Sequence, residues 1–235
     1  MEQFLGWNGL QEIMTEEGSQ KINVDLKSSG LILCSISRAI YQIHNLGFVI
    51  GDLNPSNILF KQEGNIFNIK IIDVDSWSIY RKDDLGIEYS SNVLDTEKIY
   101  HYDFVKADIE GKLWPNFKPY HDWWAFSCIC WMALTKYDPF MNGMVSGADR
   151  EERILNNHTA NSAATVELHP DCGPVTQALG PKLRFYLDKS LKRKTLRPFP
   201  TKLLEDFSDA IFKCKNCNFS THSSAVICPS CGTLI

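Results

Sequence analysis

The sequence contains no hydrophobic run long enough to cross a membrane and no excess of basic residues. Its longest apolar stretch, residues 125–134, has ten residues, about half of the roughly 20 that a membrane-spanning helix needs. The first residues do not show the basic and then apolar pattern of a secretory signal. The formal charge of −4 and the pI near 5.9 do not favour nucleic acid as a partner. We therefore expect a cytoplasmic protein that does not enter a membrane.

The sequence also lacks the cysteine spacing of a disulfide framework. Four of its eight cysteines form two Cys-x-x-Cys pairs near the carboxyl end. The other four, Cys34, Cys128, Cys130 and Cys172, are scattered among apolar neighbours. This distribution predicts metal binding in a reducing compartment. Five histidines show no metal-ligand spacing among themselves, and the sequence assigns them no function: His44, His101, His121, His158 and His169.

A length of 235 residues with 44% hydrophobic composition allows one substantial core and a small appendage. Apolar periodicity predicts a mainly α domain with a small β-hairpin. The predicted helices cover residues 29–45, capped by Ser28 or Ser29, and then 122–135, 147–157, 181–191 and 200–212. The predicted strands cover residues 57–61 and 67–72, and residues 76–120 are expected to form a long loop. The helix at 122–135 is apolar nearly all round, which is typical of a fully buried helix.

Two polar motifs stand around the predicted hairpin. The segment Gly-Asp-Leu-Asn-Pro-Ser-Asn-Ile-Leu places Asp52 five positions before Asn57. The segment Ile-Ile-Asp-Val-Asp-Ser-Trp places Asp73 sixteen positions after Asn57. Both resemble the loops that hold the catalytic Asp and the metal-binding Asn and Asp of protein kinases.

Two further segments follow in the order expected for that family. Residues 122–140, beginning Asp-Trp-Trp-Ala-Phe-Ser, resemble the central buried helix of the kinase carboxy-terminal lobe and the loop after it. Leu-Arg-Pro at 196–198, followed by Leu203-Leu204, resembles the Arg-Pro and Leu-Leu signature near the end of the lobe. The combination is similar to a bacterial branch of kinase-like proteins often fused to zinc ribbons or helix-hairpin-helix modules. The expected fold of residues 1–212 is therefore a kinase carboxy-lobe-like helical domain.

The resemblance implies a role for each matched residue. Asp73 would bridge Mg²⁺ and the phosphates of ATP, Asn57 would hold a second Mg²⁺, and Asp52 would accept the proton of the attacking hydroxyl. Asp122 would have a structural role, accepting backbone N–H bonds from the loop that carries Asp52. Arg197 would pair with an acidic residue, for which Glu110 is the candidate.

The sequence departs from the family pattern in several places. Ile50-Gly51-Asp52 replaces His-Arg-Asp, Asn54 replaces the lysine two residues after the base, and Asp73-Val74-Asp75 replaces Asp-Phe-Gly. The sequence contains neither the Gly-x-Gly-x-x-Gly loop nor the Val-Ala-Ile-Lys strand of the amino-terminal lobe. We therefore expect the amino-terminal lobe to be absent. The chain would be a fragment, a half-kinase completed by another polypeptide, or a lobe used without catalysis.

Residues 213–235 are expected to form a zinc ribbon. Cys214 and Cys217 are separated from Cys228 and Cys231 by ten residues, and four thiolates at this spacing can close a tetrahedral site. A closed site implies structural zinc, and such ribbons commonly contact protein partners. Two functions follow: ATP- and Mg²⁺-dependent serine/threonine phosphoryl transfer when an amino-terminal lobe completes the cleft, or a non-catalytic pseudokinase module with the ribbon as adaptor. Small-molecule phosphotransfer would use the same three residues.

Overall fold

The computed structural model describes residues 5–79, 101–112, 116–141, 148–161, 169–192 and 198–235. The helices in these ranges are α1 (Glu16–Lys21), α2 (Leu26–Asn45), α3 (Tyr102–Ile109), α4 (Pro119–Thr135), α5 (Arg150–Leu155), α6 (Cys172–Ala178), α7 (Gly180–Leu191) and α8 (Thr201–Asp209). The strands are β1 (Asn8–Gly9), β2 (Phe48–Val49), β3 (Ile58–Glu63), β4 (Ile66–Ile71), β5 (Ser78–Ile79), β6 (Ile211–Lys213) and β7 (Ser220–His222). The fold is a helical domain with small antiparallel sheets, and none of its described helices has the length and hydropathy that membrane crossing requires.

Helix α2 leads the chain to the loop that carries Asp52. It starts at Leu26, three residues earlier than predicted, because Asp25 is the cap: its Oδ1 accepts the N–H of Ser28 at 2.9 Å. The prediction of a cap at Ser28 or Ser29 was therefore wrong. The apolar face is as predicted, with Ile32, Ile36 and Ile40 buried.

The predicted hairpin is present as β3 and β4, paired from Ile58 with Ile71 to Glu63 with Ile66. Gly64 occupies the first position of its two-residue turn with φ of 63°, a value that glycine adopts without steric cost. Strand β1 pairs with β3 and makes a three-stranded sheet. The sequence did not reveal β1 because two residues are too short to show an alternating pattern.

Helix α4 is the centre of the domain, as its apolar sequence predicted. Its tryptophans Trp123, Trp124 and Trp131 are buried, and Trp124 Nε1 donates to the carbonyl of Leu191 in α7 at 3.3 Å. Burial raises the pKa of the Cys128 thiol, so this side chain is an inert packed group. Helix α4 also contacts α2, which fixes the start of the Asp52 loop against the core.

The prediction of a continuous loop over residues 76–120 was wrong for residues 102–109, which form α3. His101 caps this helix by accepting the N–H of Asp103 at Nδ1 over 3.1 Å. Phe104 and Val105 face the core, but the helix has only eight residues, too few to show a clear period in the sequence. Residues 80–100 and 113–115 of the predicted loop lie outside the described residues.

The last predicted helix is shorter than expected. Residues 200–212 were predicted to be helical, but α8 ends at Asp209 and Ala210 is its C-cap. Residues Ile211–Lys213 instead form β6, which pairs antiparallel with β7. Tertiary pairing overrides the local helical pattern there. The two-stranded sheet joins the helical domain to the cysteine-rich segment.

Candidate functional site

Asp52 and Asn57 lie together in the loop between β2 and β3. Asn57 Nδ2 donates to the carboxylate Oδ2 of Asp52 at 3.3 Å and lies 3.4 Å from the Asp52 carbonyl. Asn54 shapes this loop, because its Oδ1 accepts the N–H groups of Ser56 (3.0 Å) and Asn57 (3.2 Å). The residue that replaces the expected lysine is thus a local cap that places Asn57 beside Asp52.

Asp73 lies at the adjacent end of the hairpin. The N–H of Ile72 donates to the carbonyl of Asn57 at 2.8 Å, so Asp73 follows directly on a residue bonded to the Asp52 loop. Asp73 is exposed and has φ of 61° and ψ of 66°, the left-handed conformation that Asp tolerates better than most residues. The left-handed backbone turns the chain out of β4 towards solvent.

Asp122 is buried at the start of α4 beneath this loop. Its Oδ2 accepts the N–H of Ile50 at 2.8 Å, and its Oδ1 accepts the N–H of Gly51 at 2.9 Å. His44 Nε2, from the end of α2, lies 2.8 Å from the same carboxylate. These are the backbone contacts expected from the sequence, and His44 is an additional partner. One carboxylate therefore joins α2, α4 and the Asp52 loop.

A second polar cluster lies beside Asp52. Asp52, His101, Phe104 and His121 line a small pocket of about 10 Å³ together with Gly51, Leu53, Phe117 and Ala125. Asp103 Oδ2 accepts the hydroxyl of Tyr120 at 2.9 Å and lies 3.3 Å from His121 Nε2. The hydrogen bond from His121 lowers the pKa of the Asp103 carboxyl to about 2.

Ligand atoms of His101, Asp103 and His121 lie within 4.8 Å of one another, but their hydrogen bonds do not suit a cation. His101 Nδ1 accepts the N–H of Asp103, and His121 Nδ1 accepts the N–H of Lys118 at 3.0 Å. A neutral imidazole that accepts at Nδ1 carries its proton at Nε2, which leaves no lone pair for a metal. The cluster is a hydrogen-bond network that ties α3 to the start of α4.

The expected ion pair of Arg197 cannot be placed, since Arg197 lies outside the described residues. Glu110, its candidate partner, is exposed at the end of α3. Its carboxylate lies 2.8 Å from Lys112 Nζ and 3.7 Å from Lys106 Nζ. Glu110 thus has two lysine partners at the surface.

The four carboxy-terminal cysteines converge. Their sulfur atoms all lie within 4.8 Å of one another, with Cys214 and Cys231 3.8 Å apart and Cys217 and Cys228 3.7 Å apart. A tetrahedral ion with bonds of about 2.3 Å to sulfur separates its ligands by about 3.8 Å. The donor set and its spacing therefore fit a closed tetrathiolate site that could bind zinc.

The two Cys-x-x-Cys turns have the same backbone geometry. Asn218 N donates to the Cys214 carbonyl at 2.9 Å, and Gly232 N donates to the Cys228 carbonyl at 3.0 Å. Asn218 and Gly232 both have positive φ, 60° and 71°. This repeated turn directs each pair of sulfurs towards the other pair.

Side chains beside Cys231 favour the thiolate form of this one cysteine. Thr233 Oγ1 lies 3.3 Å from Cys231 Sγ, and Asn216 Nδ2 donates to the same sulfur over 3.6 Å. The contact with Thr233, followed by that with Asn216, lowers the pKa of the Cys231 thiol to about 5. Such outer contacts orient metal ligands and favour their deprotonated state.

A helical domain built around a buried central helix, with a carboxylate–amide pair in the loop it supports, has the arrangement of the protein kinase fold. The profile of the protein kinase domain matches residues 7–206, most of the chain. The chain belongs to this family, and its kinase domain implies use of ATP and Mg²⁺ in general terms. The search of curated proteins gave no match.

Sequence reasoning missed the histidines of the site. His44 contacts Asp122 across 78 residues of sequence, and His121 contacts Asp103 across 18. No spacing rule joins residues so far apart. The one local signal is that His121 directly precedes Asp122, whose role the family resemblance had predicted.

Proposed function

We propose that this protein is a serine/threonine protein kinase-like enzyme whose phosphoryl transfer requires an amino-terminal lobe in addition to the sequence described. The observation that carries the proposal is the contact between Asp52 and Asn57, supported from below by Asp122. Since Asn57 uses Nδ2 to hold Asp52, its Oδ1 is the atom suited to Mg²⁺. The exposed carboxylate of Asp73 supplies a second hard oxygen donor.

In this proposal Asn57 and Asp73 hold Mg²⁺, which neutralises phosphate charge when bound. Asp52 accepts the proton of the acceptor hydroxyl and orients it, while the Asn57 amide fixes the direction of its carboxylate. Asp122 and His44 keep the loop backbone in place. Because this chemistry consumes ATP, the cytoplasm is the location that we propose for the protein.

The sequence contains neither a Gly-rich loop nor a strand lysine. We therefore propose that a second polypeptide or a longer chain supplies them. Residues 1–212 would supply the acceptor and metal side of the cleft, and the partner lobe would cover the nucleotide. Asn54 caps its own loop instead of contacting the transferred phosphate, so the partner would have to supply the cation that normally stands there.

Paramagnetic Mn²⁺ in place of Mg²⁺ tests the metal-binding half of this proposal on the chain itself. We expect the concentration of free Mn²⁺, measured by electron paramagnetic resonance, to fall below its level with ATP alone when the chain is added to Mn²⁺ and ATP. Asp73→Asn should abolish this binding, whereas Glu17→Gln, an exposed carboxylate on α1, should leave it unchanged. Equal binding by wild type and Asp73→Asn would contradict the metal assignment.

Transfer itself is tested with radiolabelled ATP and candidate amino-terminal lobes from neighbouring coding sequences. We expect phosphate incorporation into serine or threonine only when both components are present, and its loss in Asp52→Asn. Binding of Mn²⁺ and ATP without transfer by any such pair would favour the second function.

The second candidate function is a non-catalytic module that binds a protein through the ribbon. The observation in its favour is a set of exposed aliphatic side chains on neighbouring backbone segments: Val226, Ile227, Leu234 and Ile235. Ile227 and Leu234 form an isolated antiparallel β-bridge, and Ile235 N donates to the Val226 carbonyl at 3.0 Å. These backbone contacts hold the four side chains next to one another. Exposed apolar patches of this kind mark interaction sites.

Next to these side chains lies a cavity of about 580 Å³ lined by Phe212, Lys213, Lys215 and Leu234 among others. The partner proposed here is a peptide segment with apolar and acidic residues, since residues 213–235 contain no Asp or Glu. Binding of such a peptide should weaken in Leu234→Asp and persist in Asp52→Asn. A peptide with lysines replacing its acidic residues is the control, and equal binding of both peptides would contradict the proposed chemistry.

A further inference from the structure

The ribbon, residues 213–235, packs closely against the helical domain at Gly180. This glycine starts α7 with φ of 69°, and a Cβ at this position would lie 2.6 Å from Cγ and 2.8 Å from Nδ1 of His222. No larger side chain fits there without displacing the imidazole. Helix α6 also contacts β7, the strand that carries His222. The ring of His222 therefore fills a space that the backbone of the helical domain leaves open.

The same imidazole also contacts Phe207 in the last helix of the helical domain. The rings of His222 and Phe207 are stacked, with centroids 6.3 Å apart and planes at 16°. Ser224 holds the imidazole in this orientation, because its N–H donates to His222 Nδ1 at 3.0 Å. Ser223 N donates to the carbonyl of Ala210, the cap of α8, at 2.9 Å. Three successive ribbon residues, His222, Ser223 and Ser224, thus hold the ribbon against the end of α8.

Phe207 connects this contact to the candidate site. It is buried and packs on Gly30 of α2, where a Cβ would lie 3.1 Å from Phe207 Cδ1. Helix α2 ends at Asn45, close to His44 and its bond to Asp122. The ring of His222 therefore contacts Phe207, and Phe207 in turn contacts α2, the helix that supports the Asp52 loop.

The position of His222 depends on the cysteine site. Strand β7 lies between Cys217 and Cys228, separated from Cys217 by two residues and from Cys228 by five. Within residues 213–235 only Cys214, Thr221 and Cys228 are buried. A segment with so small a core needs a metal to fold.

We propose that the metal-loaded ribbon braces the helical domain through His222, so that metal loading sets the stability of helices α2, α7 and α8. This inference rests on the proposed zinc site and extends it. The ribbon then contributes to the stability of the helical domain. Loss of metal, or oxidation of the ribbon's thiolates, lowers the stability of the whole domain.

Tryptophan fluorescence tests the proposal, because all six tryptophans lie before residue 213 and report only on the helical domain. The zinc-loaded full chain is heated with and without excess EDTA, and zinc content is measured in parallel. We expect chelation to lower the midpoint of the tryptophan transition by about 5–10 °C. An unchanged midpoint after complete zinc removal would overturn the brace.

The variant His222→Ala separates the brace from a general effect of metal. It should still bind one zinc per chain, unfold at a lower temperature than wild type, and lose more than half of the chelation shift, because the two changes remove the same contact. Val226→Ala, an exposed ribbon change, should match wild type in zinc content, midpoint and chelation shift.

Two outcomes contradict the inference in distinguishable ways. A chain that binds zinc but shows the full chelation shift in His222→Ala would refute the route through His222 and leave the zinc site standing. A chain that binds no zinc would refute both. Neither measurement involves ATP, so neither depends on the proposed phosphoryl transfer.

Discussion

The carboxylate of Asp122 accepts the backbone N–H of Ile50 at 2.8 Å, although the two residues are 72 positions apart in sequence. Ile50 is two residues before Asp52, and Gly51 between them donates to the other oxygen of the same carboxylate. A buried charge is costly unless it is hydrogen-bonded. The carboxylate and the two backbone N–H groups therefore satisfy one another, and these bonds attach the loop to the start of α4.

The first prediction concerns this carboxylate. Asp122→Ala should lower the free energy of unfolding by about 3 kcal/mol, because it leaves the buried N–H of Ile50 and the part-buried N–H of Gly51 without their acceptor. Urea unfolding measured by tryptophan fluorescence checks this. Glu17→Gln, an exposed change on α1, should stay within about 0.5 kcal/mol of wild type. Similar values for the two variants would show that the loop is not held by Asp122.

The second prediction concerns the contact between α2 and α8. Gly30→Ala adds a Cβ that would overlap Ser208 Oγ and approach Phe207. Overpacking of a buried contact costs about 1–3 kcal/mol. The higher helix propensity of Ala relative to Gly offsets about 1 kcal/mol of this cost. We expect a net loss of stability in urea unfolding.

The neighbouring residue provides the control for Gly30. Ser29 is buried, and its hydroxyl has no hydrogen-bond partner in the described part of the chain. Ser29→Ala removes this unpaired group without adding volume, so it should be neutral or stabilising. A stabilising Gly30→Ala together with a destabilising Ser29→Ala would mean that the helices are packed differently.

The third prediction concerns pH. The pKa of Asp103 is lowered from its ordinary 3.8 to about 2, first by the hydrogen bond from His121. A carboxyl whose folded-state pKa is depressed stabilises the protein above its unfolded-state pKa, and this contribution is lost as the pH falls through the folded-state value. The stability difference between wild type and Asp103→Asn should thus be constant above about pH 5 and shrink between about pH 4 and 2. Because the carboxylate is partly exposed, we expect a difference on the order of 1 kcal/mol.

Urea midpoints of both proteins at several pH values measure this difference. Asp108→Asn, a change at an exposed position of the same helix, is measured in parallel. A difference that grows as the pH falls would contradict the sign derived from Asp103.

The fourth prediction concerns metal stoichiometry. The purified chain should contain one zinc, and Cys214→Ser should reduce its zinc content to near zero because a closed site needs all four thiolates. Cys34→Ala is the matched control, since Cys34 is a buried thiol in α2 remote in sequence from the cluster. Zinc analysis by atomic absorption distinguishes them. Retention of zinc by Cys214→Ser would show that this cysteine is not a ligand.

Elements with long, regular patterns were predictable from the sequence. The apolar face of α2, the hairpin of β3 and β4, and the buried α4 all follow from periodicity that extends over several turns or strand positions. Strand β1, with two residues, and α3, with eight, were missed because their patterns are too short. Strand β6 was mistaken for the end of a helix, since only its pairing with β7 makes it a strand.

The candidate site was likewise predictable from the sequence only in part. The spacing of Asp52 and Asn57 indicated a shared loop, and the spacing of the cysteine pairs indicated a common centre. The spacing did not indicate that Asn54 would become the cap of that loop, nor that Asp103 would bond Tyr120 and His121. Those contacts depend on where α3 and α4 meet.

The sequence by itself determined which side chains carry chemistry and which short segments hold them, because residue type and local spacing are written along the chain. The tertiary structure decided which distant groups meet: His44 with Asp122, and His222 with Gly180 and Phe207. Such contacts arise from the packing of whole helices, so the free energy that selects them depends on the entire core and cannot be assigned to any one segment.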